Sequence, residues 1–231
     1  DLSSGVGSVA IYSIKGGTAT NNANITVGEA DITAVDSNGD PAPIYSIGMG
    51  AGYKTTDTGN IINKGTIAVN GKNSIGMYAS GAGSTATNNN NIVLNADNTT
   101  GIYADEGATA VNTGTITSSG THSNVVGVYL GQGSTLNNSG SITINSANGV
   151  GVYLKGGTVA NYGNITVNGS TSTSDTVYTF TTPPTGKGVG GAAINAPAGA
   201  ASATVTINGV QQNPVTINTF ARNPVEVSAS S

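Results

Sequence analysis

The sequence predicts an all-β chain wound as a parallel β-helix, a β-solenoid with coils of about 25 residues. Three observations predict it. A short apolar strand carrying one tyrosine returns at Tyr78, Tyr103, Tyr129 and Tyr153, at intervals of 25, 26 and 24 residues. Each repeat closes with a stretch in which Ile and Val alternate with Thr and Asn, the two-residue period of a half-buried strand. No segment sustains a helical period, so almost no helix is expected. Units this short cannot bury an apolar face alone. Stacking buries it, each strand pairing with its counterpart one coil on, at a rise of about 4.8 Å. Seven or eight such coils make a rod roughly 35 Å long. Leucine-rich repeats lack a match in leucine pattern and helix, a propeller blade needs about 40 residues or more, and an antiparallel sandwich gives no reason for a fixed register of Gly, Tyr and Asn.

The units follow one another along residues 1–169. "VAIYSIKGGTATNNANITV" runs from Val9 to Val27, and "IGMGAGYKTTDTGNIINKGTIAVN" from Ile47 to Asn70 with Gly50 in the tyrosine position. "IGMYASGAGSTATNNNNIVLN" spans Ile75 to Asn95 and "TGIYADEGATAVNTGTITS" spans Thr100 to Ser118. "VGVYLGQGSTLNNSGSITIN" and "VGVYLKGGTVANYGNITVN" complete the series at Val126 and Val150. In the last unit, alternation puts Val150, Val152 and Leu154 on the core face and Gly151 and Tyr153 on the other. The tyrosines then form an outer ladder, joined by Tyr12, with the glycine leaving room beside each ring; the opposite assignment, rings inward, stays open. Asn21, Asn88, Asn112, Asn138 and Asn161 fall where the chain turns. Asn tolerates left-handed backbone there and bonds its own main chain, and stacking aligns the amides into a second ladder.

The connections after each closing strand vary while the units do not. Three are long: residues 28–46, the stretch between Ser118 and Val126, and residues 169–188. A regular solenoid brings all of them to one corner, so one edge of a rigid rod carries variable loops, a common arrangement for binding surfaces. After Gly190 the pattern degrades and the tyrosine is lost, and residues 189–231 read as atypical coils of the rod or as the start of the next stretch of a longer one.

Composition narrows the function. Only 8% of the 231 residues are charged, with seven basic residues and a net charge of -4, which speaks against a nucleic-acid partner, since neutralising phosphates takes clustered Lys and Arg. Cysteine is absent, so neither disulfides nor thiolate metal sites are available. No apolar run approaches the ~20 residues of a membrane helix, so no membrane insertion by this segment is expected. The abrupt start, "DLSSGVGS", with no visible signal peptide, reads as a mature or excised fragment.

Chemistry finds little purchase. The single histidine, His122, has only Ser123 beside it and reads as a solvated loop residue rather than part of a nucleophilic triad. Asp105 and Glu106 are adjacent and point apart in a strand, which disfavours a carboxylate pair. "DSNGD" (Asp36, Asn38, Asp40) resembles part of a calcium loop without the downstream Glu, and an Asn-Gly turn is the preferred reading. No catalytic residue, metal or cofactor is therefore assigned. The candidate partner-binding residues are Glu29, Asp31, Asp36 and Asp40 on the insertion 28–46, stiffened by Pro41 and Pro43, and Tyr178 and Phe180 on the insertion 169–188, an aromatic pair of the kind that anchors interfaces. The tyrosine ladder has two readings, a sugar- or protein-binding surface and a stacking device; the stacking device is preferred because the rings recur without variation.

The unit "GVYL-x-x-G-S-T-x-x-N-x-G-x-I-T-[VI]-N" resembles the repeats of passenger domains in bacterial type V autotransporters, most closely the large fusobacterial outer-membrane adhesins of the RadD type. The resemblance covers residues 6–169 well and the rest weakly. It implies a right-handed β-helix displayed on the bacterial cell surface, continuous in the full-length protein with an outer-membrane β-barrel, and adhesion to a host cell-surface receptor or glycan or to other bacteria, without chemistry. A structural stalk with the binding site elsewhere is the alternative, against which the long insertions count. A carbohydrate-active β-helix enzyme is a third reading, and it needs clustered acids with a basic partner.

Overall fold

A computed structural model describes residues 6–53, 57–146, 149–161 and 163–167, without the side chains of Leu154 and Val167, and five backbone strands beyond residue 191. The described residues are all-β with no helix. Each coil contributes three strands, one to each of three parallel sheets. The first sheet stacks Val9–Ser13, Ile47–Ala51, Ile75–Ser80, Thr100–Asp105, Val126–Leu130 and Val150–Leu154. The second stacks Thr18–Asn21, Asn60–Asn63, Thr85–Asn88, Thr109–Asn112, Thr135–Asn138 and Thr158–Asn161. The third stacks Asn24–Val27, Thr66–Val69, Asn91–Leu94, Thr115–Ser118, Ser141–Ile144 and Gly163–Val167. Among the described residues the parallel stack has six coils, against the seven or eight expected, and measures roughly 25 Å along its axis. Beyond it the described strands run antiparallel: Ala192–Ala196 lies against Gly163–Val167, and Val225–Ser228 against Val150–Leu154.

Pairing is like with like, which is why the repeat survives in the sequence. Tyr78, Tyr103, Tyr129 and Tyr153 are register partners in the first sheet. Ile25, Ile67, Ile92, Ile116, Ile142 and Ile165 form one buried column from the third. Across the core they meet Met49, Met77, Ile102, Val128 and Val152 from the first sheet, while Ala86, Ala110, Leu136 and Val159 enter from the second. Each fully buried Ile, Leu or Met contributes about 1.5–3 kcal/mol, and it does so only because neighbouring coils cover it.

The glycine before each core residue has a different purpose from the one expected. A Cβ on Gly101 would lie 2.5 Å from the Gly127 carbonyl oxygen and 2.8 Å from Ile116 Cγ2. The glycine lets the first sheet approach the isoleucine column and the next coil. Room beside a ring is the role of a different glycine, Gly50 in the tyrosine position, where a Cβ would meet Tyr12 Cδ2 at 2.8 Å.

The asparagine ladder forms, with Asn63 as an additional member. Nδ2 of Asn21, Asn63, Asn88 and Asn112 each donates to Oδ1 of the next, ending on Asn138, and each bond is 2.9 Å. These amides are buried inside the corner between the second and third sheets. Each also reaches its own turn: Asn21 Nδ2 donates to the Ala23 carbonyl at 2.7 Å and Oδ1 accepts from the Ala23 N–H at 3.1 Å. Left-handed backbone belongs to other asparagines, Asn73, Asn98 and Asn124, at the corner between the third and first sheets. Asn161 is displaced by a register shift and donates to Asn137 Oδ1 at 2.8 Å. The glycine two residues after the ladder asparagine is set by coil spacing, since a Cβ on Gly114 would lie 2.0 Å from the Asn90 carbonyl oxygen.

Candidate functional site

The tyrosines face outward. In coils three to six the rings stack along the rod, with centroids 5.5, 4.2 and 5.4 Å apart and planes within 22°, 12° and 9°. Neighbours cover the ring faces, and the rings are half-buried. Burial, and then the neighbouring Tyr129, raise the Tyr103 phenol above its ordinary value. Tyr12 does not join the stack. Its partner in coil two is Gly50, over which its ring leans, and its hydroxyl donates to the Gly52 carbonyl.

The insertion 28–46 is a short antiparallel ribbon. Asp31 and Ile44 exchange backbone bonds of 2.9 and 2.8 Å, and Val35 bridges Pro41. At its tip Asp36 N–H donates to the Asp40 carbonyl at 2.9 Å, with Gly39 left-handed at φ 84°, a turn-and-bulge hairpin end. Ser46 pins the base: its Oγ accepts from Gly7 N–H at 2.9 Å and donates to the Glu29 carbonyl at 2.8 Å.

Between this ribbon and the ladder runs a groove of about 460 Å³. Ile32 and Tyr45 line it from the ribbon, Tyr78, Tyr103 and Thr100 from the first sheet, and Asn73, Ser74 and Asn98 from the corner turns. No lining residue is charged. Ile32 and Tyr45 are 51% and 47% exposed, so the ribbon presents apolar surface to the solvent. Two further hollows flank the ladder. One, of about 420 Å³, lies among Tyr12, Tyr53 and Tyr78; the other, of about 500 Å³, lies by Tyr129 and Tyr153. Every tyrosine described with its side chain borders one of the three.

None of the four acidic candidates lines the groove. Asp31 Oδ1 accepts from Thr33 N–H and Oγ1 at 3.0 and 2.9 Å, and Asp36 Oδ1 accepts from the Asn38 and Asp40 N–H groups at 2.8 and 3.0 Å. Both carboxylates are engaged by the ribbon's own turns, while Glu29 and Asp40 are exposed. Tyr178 and Phe180 lie outside the described residues. His122 Nδ1 stands 3.9 Å from Asp97 Oδ1, which also accepts from the Ser123 N–H at 2.9 Å. Asp105 and Glu106 do not point apart as a strand pair would. Asp105 ends its strand, Glu106 turns left-handed at φ 54°, and both border the same two hollows. Among the described residues no three acidic, His or Cys side chains converge as metal ligands.

Sequence reasoning missed Ile32, Tyr45 and Tyr53. In the sequence Ile32 and Tyr45 stand among the acidic residues of the insertion with no periodic signal of their own. Tyr53 had a length signal: the turn after the first strand of coil two occupies 52–59, where coil three uses only 81–84.

The family model of the BigA third pectate lyase-like domain matches residues 2–114 and again 90–199. A periodic chain accepts the same template in two registers, as a stacked repeat should. No curated protein and no solved structure matches. The chain belongs to the BigA third pectate lyase-like domain family, which makes it a bacterial surface β-helix domain.

Proposed function

We propose that this BigA-family chain is a non-enzymatic adhesive segment of an autotransporter passenger, carried outside the cell and continuous with an outer-membrane barrel in the parent protein. The observation that carries the reading is the gathering of the described tyrosines onto one face of the rod, with the ribbon 28–46 standing beside them as one wall of a groove. A rigid scaffold bearing an aromatic, uncharged groove suits contact with a neutral glycan or an apolar receptor surface on a host cell or another bacterium. The described lining has no carboxylate, histidine or lysine, which supports a binding role over acid–base chemistry in that groove.

Binding of the purified chain to host cells and to partner bacteria tests this. A folded variant with residues 28–46 shortened to a tight turn is expected to bind more weakly than the wild type, and equal binding overturns the assignment of the groove. A stalk is the second reading, favoured by rings that cover one another's faces. It is supported if the folded wild-type chain binds neither cell type.

A further inference from the structure

We infer that the hollow among Tyr12, Tyr53 and Tyr78 is a site for an organic cation of the quaternary-ammonium type carried by choline. The hollow originates in the break in the ladder. From Tyr78 to Tyr153 successive rings back one another, but the register partner of Tyr78 in coil two is Gly50. Among the described residues no ring stacks on Tyr78 from that side. Tyr12 closes the far side of the gap, leaning over Gly50 and tied to coil two through the Gly52 carbonyl. Past Gly52 the chain brings in Tyr53, which is 57% exposed and pinned by its N–H donating to the Asp57 carbonyl at 2.7 Å.

The rim is acidic. Asp105 and Glu106 both line the hollow, and Glu106 N–H donates to Asp105 Oδ1 at 2.8 Å, fixing the pair at one edge. Asp57 is close enough to add to the burial that raises the Tyr12 phenol. Among the described residues no basic side chain lines the hollow. Aromatic rings attract a cation held within about 6 Å of their centres, and carboxylates at the rim supply the opposite charge. A quaternary ammonium has no hydrogen to donate. It therefore asks for ring surface and negative potential and is indifferent to the fact that Asp105 Oδ1 already accepts a bond. The neighbouring hollow by Tyr129 and Tyr153 shares the two carboxylates but contains Lys155, whose ammonium competes for them.

The inference stands apart from the adhesion reading, because the hollow can be probed in solution without any cell. Choline is titrated into the full chain and its methyl resonance followed by NMR. Saturable binding with an upfield ring-current shift is expected, and the uncharged isostere dimethylbutanol is expected not to bind. Tyr53→Leu should weaken choline on the order of tenfold while Tyr53→Phe keeps it, and Glu106→Gln should weaken it with the fold unchanged. Gly50→Tyr should close the site by filling the space over coil two and displacing the Tyr12 ring, into which even a Cβ there would press at 2.8 Å. Absence of saturable choline binding, equal binding of the isostere, or choline binding indifferent to Tyr53→Leu in a folded protein overturns the inference.

Discussion

The asparagine stack and the tyrosine stack run along the same rod, built by the same repeat, and they meet different physical demands. The asparagines lie inside a corner with no access to water. There each amide uses its donor and acceptor on the next amide and on its own turn, and a buried amide left without partners costs about 1–3 kcal/mol. The tyrosines lie outside the first sheet. Their faces stack and their edges meet solvent, so a missing ring exposes surface without stranding a polar group. The asparagine stack accordingly continues through coil two as Asn63, while the tyrosine stack breaks there at Gly50. The buried polar ladder is carried unbroken from Asn21 to Asn138 and ends only where a register shift moves Asn161 aside, whereas the exposed aromatic one is interrupted at Gly50 and can be shaped into a site.

Substitutions sharpen that contrast. The largest effect is expected from Asn112→Ala, which removes the acceptor of Asn88 and the donor to Asn138 in the middle of the stack. A loss of about 3 kcal/mol is expected in urea unfolding. Tyr103→Leu deletes two ring stacks but leaves no buried polar atom behind, so about 1–2 kcal/mol is expected by the same measurement. If the two variants cost the same, the distinction between the ladders fails.

A smaller effect comes from pH. The Tyr103 phenol is raised above its ordinary 10.0 by burial and by Tyr129, so the folded state resists ionisation that the unfolded chain permits. The stability this represents is fully present below about pH 10 and is lost as pH rises beyond it. Unfolding midpoints measured across that range should fall less steeply for Tyr103→Phe, which keeps the ring and removes the ionisation. The smallest effect is expected at the ribbon tip. Asp36→Ala removes two turn bonds at an exposed site, and a change below about 1 kcal/mol is expected.

The solenoid was legible because stacking makes like residues neighbours: isoleucine meets isoleucine and asparagine meets asparagine, so the period written in the sequence is the period of the contacts. Alternation favoured outward tyrosines but left the inward assignment open, and the stacked rings outside the first sheet decide it. The role of the glycines did not follow from alternation, because Gly101 answers to Ile116 and to Gly127, a close approach that strand alternation does not encode. Asn63 escaped notice because coil two carries "NIIN" where its neighbours carry a Thr-rich stretch. The insertion 28–46 was legible as a departure from the period. Its acidic residues drew attention because charge is visible in a sequence, whereas the placing of Ile32 and Tyr45 against the ladder depends on the ribbon's pairing of Asp31 with Ile44. Five of the seven described tyrosines, Tyr12, Tyr78, Tyr103, Tyr129 and Tyr153, are legible as repeat members, but that Tyr45 and Tyr53 join them on one face is a property of the coil.

The most direct test of the adhesive role sets the groove wall against the ribbon's charge. Binding to host cells and partner bacteria is compared for the wild type, for Ile32→Ser with Tyr45→Ser, and for Asp36→Ala with Asp40→Ala, each checked for an unchanged β-sheet circular dichroism spectrum. Loss of binding in the first pair with retention in the second is the result predicted here. Retention in the first pair with loss in the second would contradict it and return the adhesive surface to the acidic tip of the ribbon.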